Sequence, residues 1–271
     1  MRSIRLFTVA TVCLAALIAA GGASAVGPWP GLAQSVTSVQ TGIRYAASRS
    51  GAATTVRALR AGQVLATAQL DGSWGIPAVT STGVAGGLSP DSRLLVLSEQ
   101  STAGGLRSQS RFQVLSTRTL EVAQTIVLPG EFGFDALSAD ARTLYLIQHR
   151  SRADLVAYVV RGYDLQAKRL LPGVIVAKGE SGSMRGYPVA RATARSGSWV
   201  YTLYNRGSGS PFIHALNTDG RFAVCIDLTW QPGSNNIWLT RLQLSADGRR
   251  LVVRSGGAAV ATVDTKTFRV R

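Results

Sequence analysis

Acid–base or nucleophilic chemistry in this chain would have to run through two histidines, His149 and His214, the only imidazoles among 271 residues. A hydrolytic set needs a nucleophile beside a base that a third group orients. The nearest approach to a nucleophile elbow, Gly179-Glu180-Ser181-Gly182-Ser183, fails at its last position, where a glycine belongs. His149 opens the polar stretch His149-Arg150-Ser151-Arg152-Ala153-Asp154 and is expected to be a solvated loop residue. His214 sits in the β-rich run Phe212-Ile213-His214-Ala215-Leu216 and is expected to be a hydrogen-bonded sheet histidine. Metal ligation has no better support, since zinc wants clustered Cys and His, and calcium wants dense carboxylates. Asp219-Gly220 and Asp247-Gly248 are single-acid turns, and Cys225 reads as a small apolar filler once Cys13 is removed with the N-terminal segment. No catalytic residue, metal or cofactor is therefore assigned.

Binding chemistry is better represented. The formal charge is +15, from 29 basic against 14 acidic side chains, and only Lys168, Lys178 and Lys266 are lysines. Such a field attracts polyanions. The arginines are scattered along the chain rather than clustered, which disfavours nucleic acid and leaves an anionic cell-envelope polymer or a protein as the expected partner. Trp74, Arg150, Arg152, Arg185, Tyr187, Asn205, Arg206 and Trp230 fall in loop-like stretches between the β-rich runs and are the candidate ligand-binding residues. Arginine beside an exposed aromatic ring suits sugars, acidic groups or protein partners.

The elements that must position these residues follow a repeat. Three copies are clear: Leu88-Ser89-Pro90-Asp91-Ser92-Arg93-Leu94-Leu95, Leu137-Ser138-Ala139-Asp140-Ala141-Arg142-Thr143-Leu144 and Leu244-Ser245-Ala246-Asp247-Gly248-Arg249-Arg250-Leu251. A weaker copy runs Ala194-Arg195-Ser196-Gly197-Ser198-Trp199, and a faint one opens Thr41-Gly42-Ile43-Arg44-Tyr45. The turn positions 41, 91, 140, 196 and 247 are spaced by 50, 49, 56 and 51 residues. Asp or Ser at such a turn hydrogen-bonds a nearby backbone amide, and the residue after it tolerates positive φ. Each turn feeds a β-rich run, then a polar loop, a second run and a third, the third in the middle unit being 173–176. A short strand before the turn makes four. No stretch after the N-terminal segment keeps helical spacing. The chain is therefore expected to be all-β, a β-propeller of about five four-stranded blades occupying 41–271 after a lead-in over 26–40.

The segments Leu137 to Leu146 and Leu244 to Val253, the latter closed by Val263-Asp264-Thr265-Lys266-Thr267, resemble the bacterial YVTN-type and WD-like propeller repeats. That resemblance covers nearly the whole chain after residue 25 and implies shape more than activity, because the superfold hosts lactonase-like enzymes, lyases and many binding scaffolds. Ser196 in place of the turn aspartate and the degenerate first unit depart from the pattern.

Residues 1–25 have the three parts of an export signal: Arg2 and Arg5, an uncharged run over 6–20, and Ala23-Ser24-Ala25. No later stretch is apolar enough to span a bilayer. The sequence thus points to an exported, basic propeller that acts as a non-enzymatic binding or interaction scaffold. The alternative is a lactonase-like or lyase-like enzyme using one of the histidines.

Overall fold

The computed structural model describes residues 31–100, 106–177, 182–233 and 236–271. The segment read as an export signal and the elbow-like Ser181 lie outside them. The architecture starts from the repeated turns, three of which share one hydrogen-bond set. The hydroxyls of Ser89, Ser138 and Ser245 each donate at 2.6 Å to the carboxylate two residues on, Asp91, Asp140 and Asp247. The same hydroxyls accept the amides of Leu94, Thr143 and Arg250 at 2.9 Å. The carboxylates accept the amides of Arg93, Arg142 and Arg249 at 3.0–3.1 Å. These donors hold the Asp140 and Asp247 carboxyls below the usual carboxylate range, the serine hydroxyl contributing most. The next residue is left-handed in all five copies: Gly42, Ser92, Ala141, Gly197 and Gly248, with φ from 56° to 79°.

Each turn joins the first two strands of an antiparallel meander, and five meanders follow one another. Sheet I holds β2 (Ser35–Thr37), β3 (Arg44–Ser50), β4 (Ala53–Arg60) and β5 (Gln63–Asp71). Sheet II holds β6 (Trp74–Pro77), β7 (Leu94–Glu99), β8 (Gln109–Ser116) and β9 (Val122–Pro129), and its inner edge is extended by β1 (Leu32–Ala33). Sheet III holds β10 (Glu131–Leu137), β11 (Thr143–His149), β12 (Ala157–Asp164) and β13 (Arg169–Leu170), with β14 (Met184–Arg185) also on β12. Sheet IV holds β15 (Tyr187–Thr193), β16 (Trp199–Asn205), β17 (Phe212–Asn217) and β18 (Phe222–Asp227). Sheet V holds β19 (Arg241–Leu244), β20 (Arg250–Ser255) and β21 (Ala258–Asp264). A fourth edge forms on β21 where Thr262 and Arg271 exchange backbone hydrogen bonds. The chain is all-β as expected; its one helical element among the described residues is the 3-10 turn Ile237–Leu239, and no described helix is long and apolar enough to cross a membrane. Two details differ from the sequence reading. The third run of the middle unit, 173–176, contributes only the bridge Ile175 to Val160, because Pro172 and the left-handed Gly173 break the strand after Leu170. Residues 32–37, expected as a lead-in, already supply β1 and β2.

Successive sheets stack through apolar cores, and there are four of these for five sheets. Tyr45, Val56 and Leu70 meet Ile76, Leu95 and Leu97 between sheets I and II. Val96, Phe112 and Ile126 meet Phe134, Leu144 and Leu146 between II and III. Tyr145, Tyr158 and Val160 meet Val200, Tyr204 and Phe212 between III and IV. Leu203, Ile213 and Ile226 meet Leu251, Val253 and Val263 between IV and V. Among the described residues no such core joins V to I, and the sheets form an arc that is open on that side.

Candidate functional site

The beginning of each first strand and the end of each second strand lie at one end of a meander, and the repeated turns lie at the other. Both ends carry a cavity. At the turn end, the repeat phase selects the lining: Val36, Gly86, Asp135 and Arg191 each stand five residues before a turn position, and all four line a cavity of about 300 Å³ with Phe134, Val39 and Arg195. The fifth equivalent, Leu242 of sheet V, packs instead on the IV–V core. Asp135 is the extra residue of a β-bulge between Phe134 and Ala136, so its carbonyl leaves the ladder, and β15 carries a bulge between Pro188 and Ala190, two residues earlier in the repeat. Arg191 donates to the Asp135 carbonyl and carboxylate, and its Nε donates to Thr202 Oγ1 at 3.1 Å. The pair is nearly dry, with side chains 8% and 3% exposed. The loop after β6 crosses to the same bulge, Ser81 N donating to Pro188 O and Thr82 Oγ1 to Val189 O, both at 2.8 Å. The floor of this cavity is thus a satisfied ion pair, and its walls are mostly apolar.

At the opposite end, Leu106, Arg107, Gly130, Glu131, Gln148, His149, Arg150 and Arg152 line a cleft of about 320 Å³. Glu131 is 2% exposed and accepts the Arg107 amide at 2.6 Å, its Nε at 2.9 Å and its Nη2 at 2.6 Å. Arg107 also donates to Phe132 O at 2.7 Å. The one acid among the described residues of the cleft is therefore already neutralised. Across the ladder from Glu131 stands His149. It is buried, not a solvated loop residue as the sequence suggested, because it is the last residue of β11 and packs toward Tyr158. Burial brings its pKa down to about 4 against the opposing pull of the Glu131 charge. Arg150 and Arg152 stand exposed at the rim, and neither has a carboxylate partner among the described residues.

The other sequence candidates lie at this same end but are mostly committed to the fold. Trp74 is buried in the I–II core, donates from Nε1 to Asp71 O at 2.6 Å and lies under the Arg111 guanidinium at 5.7 Å. Arg185 pairs with Asp154. Arg206 pairs with Asp227 at 2.8 Å and stacks over Phe212 at 4.2 Å, while Asn205 Oδ1 accepts the Gly207 amide at 2.9 Å. Trp230 packs half-buried on the IV–V core, and Tyr187 is exposed. Only Arg150 and Arg152 of the eight share a cleft. His214 is a sheet residue, as expected, paired in register with Thr202 and Cys225. Its Nε2, however, has no hydrogen-bond partner among the described residues, and burial lowers its pKa to about 4. Sequence reasoning missed Arg107, Glu131, Asp135 and Arg191. For the last two the signal was available, since a fixed phase before the turn aims them at the same cavity.

Antiparallel meanders packed face to face in succession are the architecture of a β-propeller, and the solved structures similar to this chain are of that kind. No protein-family model matches the chain, and no curated protein sequence matches it. The β-propeller domain of Cps50 (Swd1) from Myceliophteria thermophila superposes with TM-score 0.52 at 11% identity, over 88% of this chain and 69% of that one. A protein assigned as a 6-phosphogluconolactonase from Bacteroides uniformis does so with TM-score 0.50 at 14% identity, over 88% and 68%. A chain of the Mitotic Checkpoint Complex gives TM-score 0.50 at 13% identity, over 88% and 63%. At such identities the likeness is one of fold alone.

Proposed function

We propose that this chain is an exported, non-enzymatic binding scaffold for the anionic groups of a cell-envelope polymer, with residues 1–25 removed as a signal and the propeller domain running from β1 at Leu32 through residue 271. The observation that carries the reading is the pair Arg150 and Arg152. They rim a cleft whose one carboxylate among the described residues, Glu131, is already held by Arg107, so their charge is left for a ligand. Each offers the planar fork that suits phosphate and carboxylate. A lactonase-like or lyase-like enzyme would have to work with His149 or His214, whose pKa values of about 4 make both weak bases, and the described residues of the cleft beside His149 include no hydroxyl or thiol nucleophile.

The reading is tested by fluorescence anisotropy of labelled poly(glycerol phosphate) titrated with the full chain. Binding should weaken as salt rises, and R150A/R152A should lose about tenfold in affinity, a modest fraction of what two charge-assisted hydrogen-bonding groups can supply. A wild-type chain that does not bind, or a double variant that binds as well as wild type, overturns it.

A further inference from the structure

The two sheets at the ends of the arc each have a face that no other sheet covers. On sheet I, the positions alternating with the core residues Tyr45, Val56 and Ala58 place Arg44 and Arg57 in solvent. On sheet V, alternation with Leu251 and Val253 does the same for Arg241, Arg250 and Arg254. Arg241 and Arg254 are direct cross-strand partners on β19 and β20, an arrangement in which like charges repel. None of the five has a carboxylate within 4 Å among the described residues. The acids on these faces are Asp264, opposite Arg250, and Asp71 at the end of β5.

What could cover such faces is restricted by their chemistry. The four cores between sheets are apolar, and Arg191, the arginine nearly buried between III and IV, is matched by Asp135, whereas the terminal faces present arginines with no such match beside Thr55, Thr67 and Gln243, with Leu59 and the exposed Val64 at the edge of sheet I. A further sheet, or a second copy of this chain presenting the same faces, would bury guanidinium groups that have no carboxylate to neutralise them, which is unfavourable. A linear polyanion has the opposite property: it neutralises the arginines, leaves them hydrated and releases its own counterions.

We propose that the open side of the arc, with Arg44 and Arg57 on sheet I and Arg241 and Arg254 on sheet V, is a docking surface for a linear phosphodiester polymer of the cell envelope. This rests on the anionic-polymer reading above and adds to it a surface separate from the Arg150 and Arg152 cleft. The test is the same anisotropy titration with poly(glycerol phosphate), run across a salt series on the full chain with three variants: R44Q/R57Q, R241Q/R254Q and R150A/R152A. Each terminal-face pair should lower affinity about fivefold and flatten the slope of log K against log salt by about 1.5, two phosphate contacts being lost. The single variant R241Q, which removes the like-charge pair and leaves the Arg254 hydrogen bonds to Gln243 Oε1 and Gly257 O, both at 3.0 Å, in place, should also melt at the wild-type temperature or above it; a loss of affinity in R241Q accompanied by a lowered melting temperature overturns the surface as a binding one. If only R150A/R152A weakens binding, this proposal fails and the cleft reading stands. If only the terminal-face pairs do, the cleft reading fails and this one stands. A wild-type chain that ignores the polymer overturns both, and tighter binding of double-stranded DNA at equal phosphate concentration overturns the choice of ligand.

Discussion

Gly197 and Gly248 occupy the same place in the repeated turn, and replacing each by alanine should cost very different amounts. Both are left-handed, at φ 79° and 72°. A Cβ in that region costs about 1–2 kcal/mol, of which about 0.4–1 is returned by the stiffer unfolded chain. At Gly248 an added Cβ meets nothing within 4 Å, so Gly248→Ala should destabilise by about 0.5–1 kcal/mol. At Gly197 the same atom would lie 2.3 Å from Pro90 Cγ, 2.7 Å from Pro90 Cβ and 3.4 Å from Ala139 Cα. Proline cannot rotate its ring away, so the turns of sheets II, III and IV must separate, an overpacking cost of about 1–3 kcal/mol more. Gly197→Ala should therefore cost about 2–4 kcal/mol in all, read from urea midpoints at a common m-value. In a chain of this size that lowers the melting temperature by roughly 5–10 °C, against roughly 2 °C for Gly248→Ala. A double-mutant cycle with Pro90→Gly isolates the clash and should return at least about 1 kcal/mol of coupling. Equal costs for the two alanines, or no coupling to Pro90, would refute the convergence of these turns.

Two further outcomes follow from the buried polar groups. His149 and His214 have folded pKa values of about 4 against 6.5 unfolded; between those pH values the unfolded chain binds protons that the folded one refuses, so stability is full above pH 6.5 and falls as pH drops toward 4. At pH 4.5 each histidine should have removed roughly 2.5 kcal/mol, seen as a shift of the urea midpoint that His214→Gln halves; a midpoint unchanged between pH 7 and 4.5 would sink the reasoning. Arg191→Met leaves the Asp135 carboxylate buried without its partner and should cost about 3–5 kcal/mol, with Asp135→Asn/Arg191→Met losing less than the two single costs combined; single costs below about 1 kcal/mol, measured by the same denaturation, would show the pair to be hydrated.

The turns were legible because their information is local. Ser89 with Asp91, Ser138 with Asp140 and Ser245 with Asp247 close their hydrogen bonds within six residues, and even the degenerate copies at 41 and 196 keep the left-handed residue that follows. The candidate site was harder to read, because what decides it is which residues end a strand. Taking His149 as the first loop residue rather than the last residue of β11 reversed its environment, and strand ends are where composition says least. Trp74 looked like a loop aromatic for the same reason, being the first residue of β6. Glu131 and Arg107 are 24 residues apart and meet only through the register of β8, β9 and β10, which no local pattern encodes. Asp135 and Arg191 are a middle case, unpromising singly but in phase with the repeat.

The open side of the arc was also written in the sequence, in the contrast between middle and terminal strands. A strand buried on both faces needs no alternation, and the second strands of the middle sheets show none: Leu94-Leu95-Val96-Leu97, Leu144-Tyr145-Leu146-Ile147 and Val200-Tyr201-Thr202-Leu203 run almost unbroken, with burial on both sides. A strand buried on one face alternates, and this is what the ends do. In β3, the second strand of sheet I, Tyr45 is buried while Arg44 is exposed and Ala46 half-buried. In β20 Leu251 and Val253 are buried between Arg250, Val252 and Arg254. Had the ring closed on five sheets, the second strands β3 and β20 should carry the unbroken burial of β7, β11 and β16; that both keep one exposed face argues that these faces are not covered by one another. Their arginines then need no internal partner, and the charge they carry is directed outward.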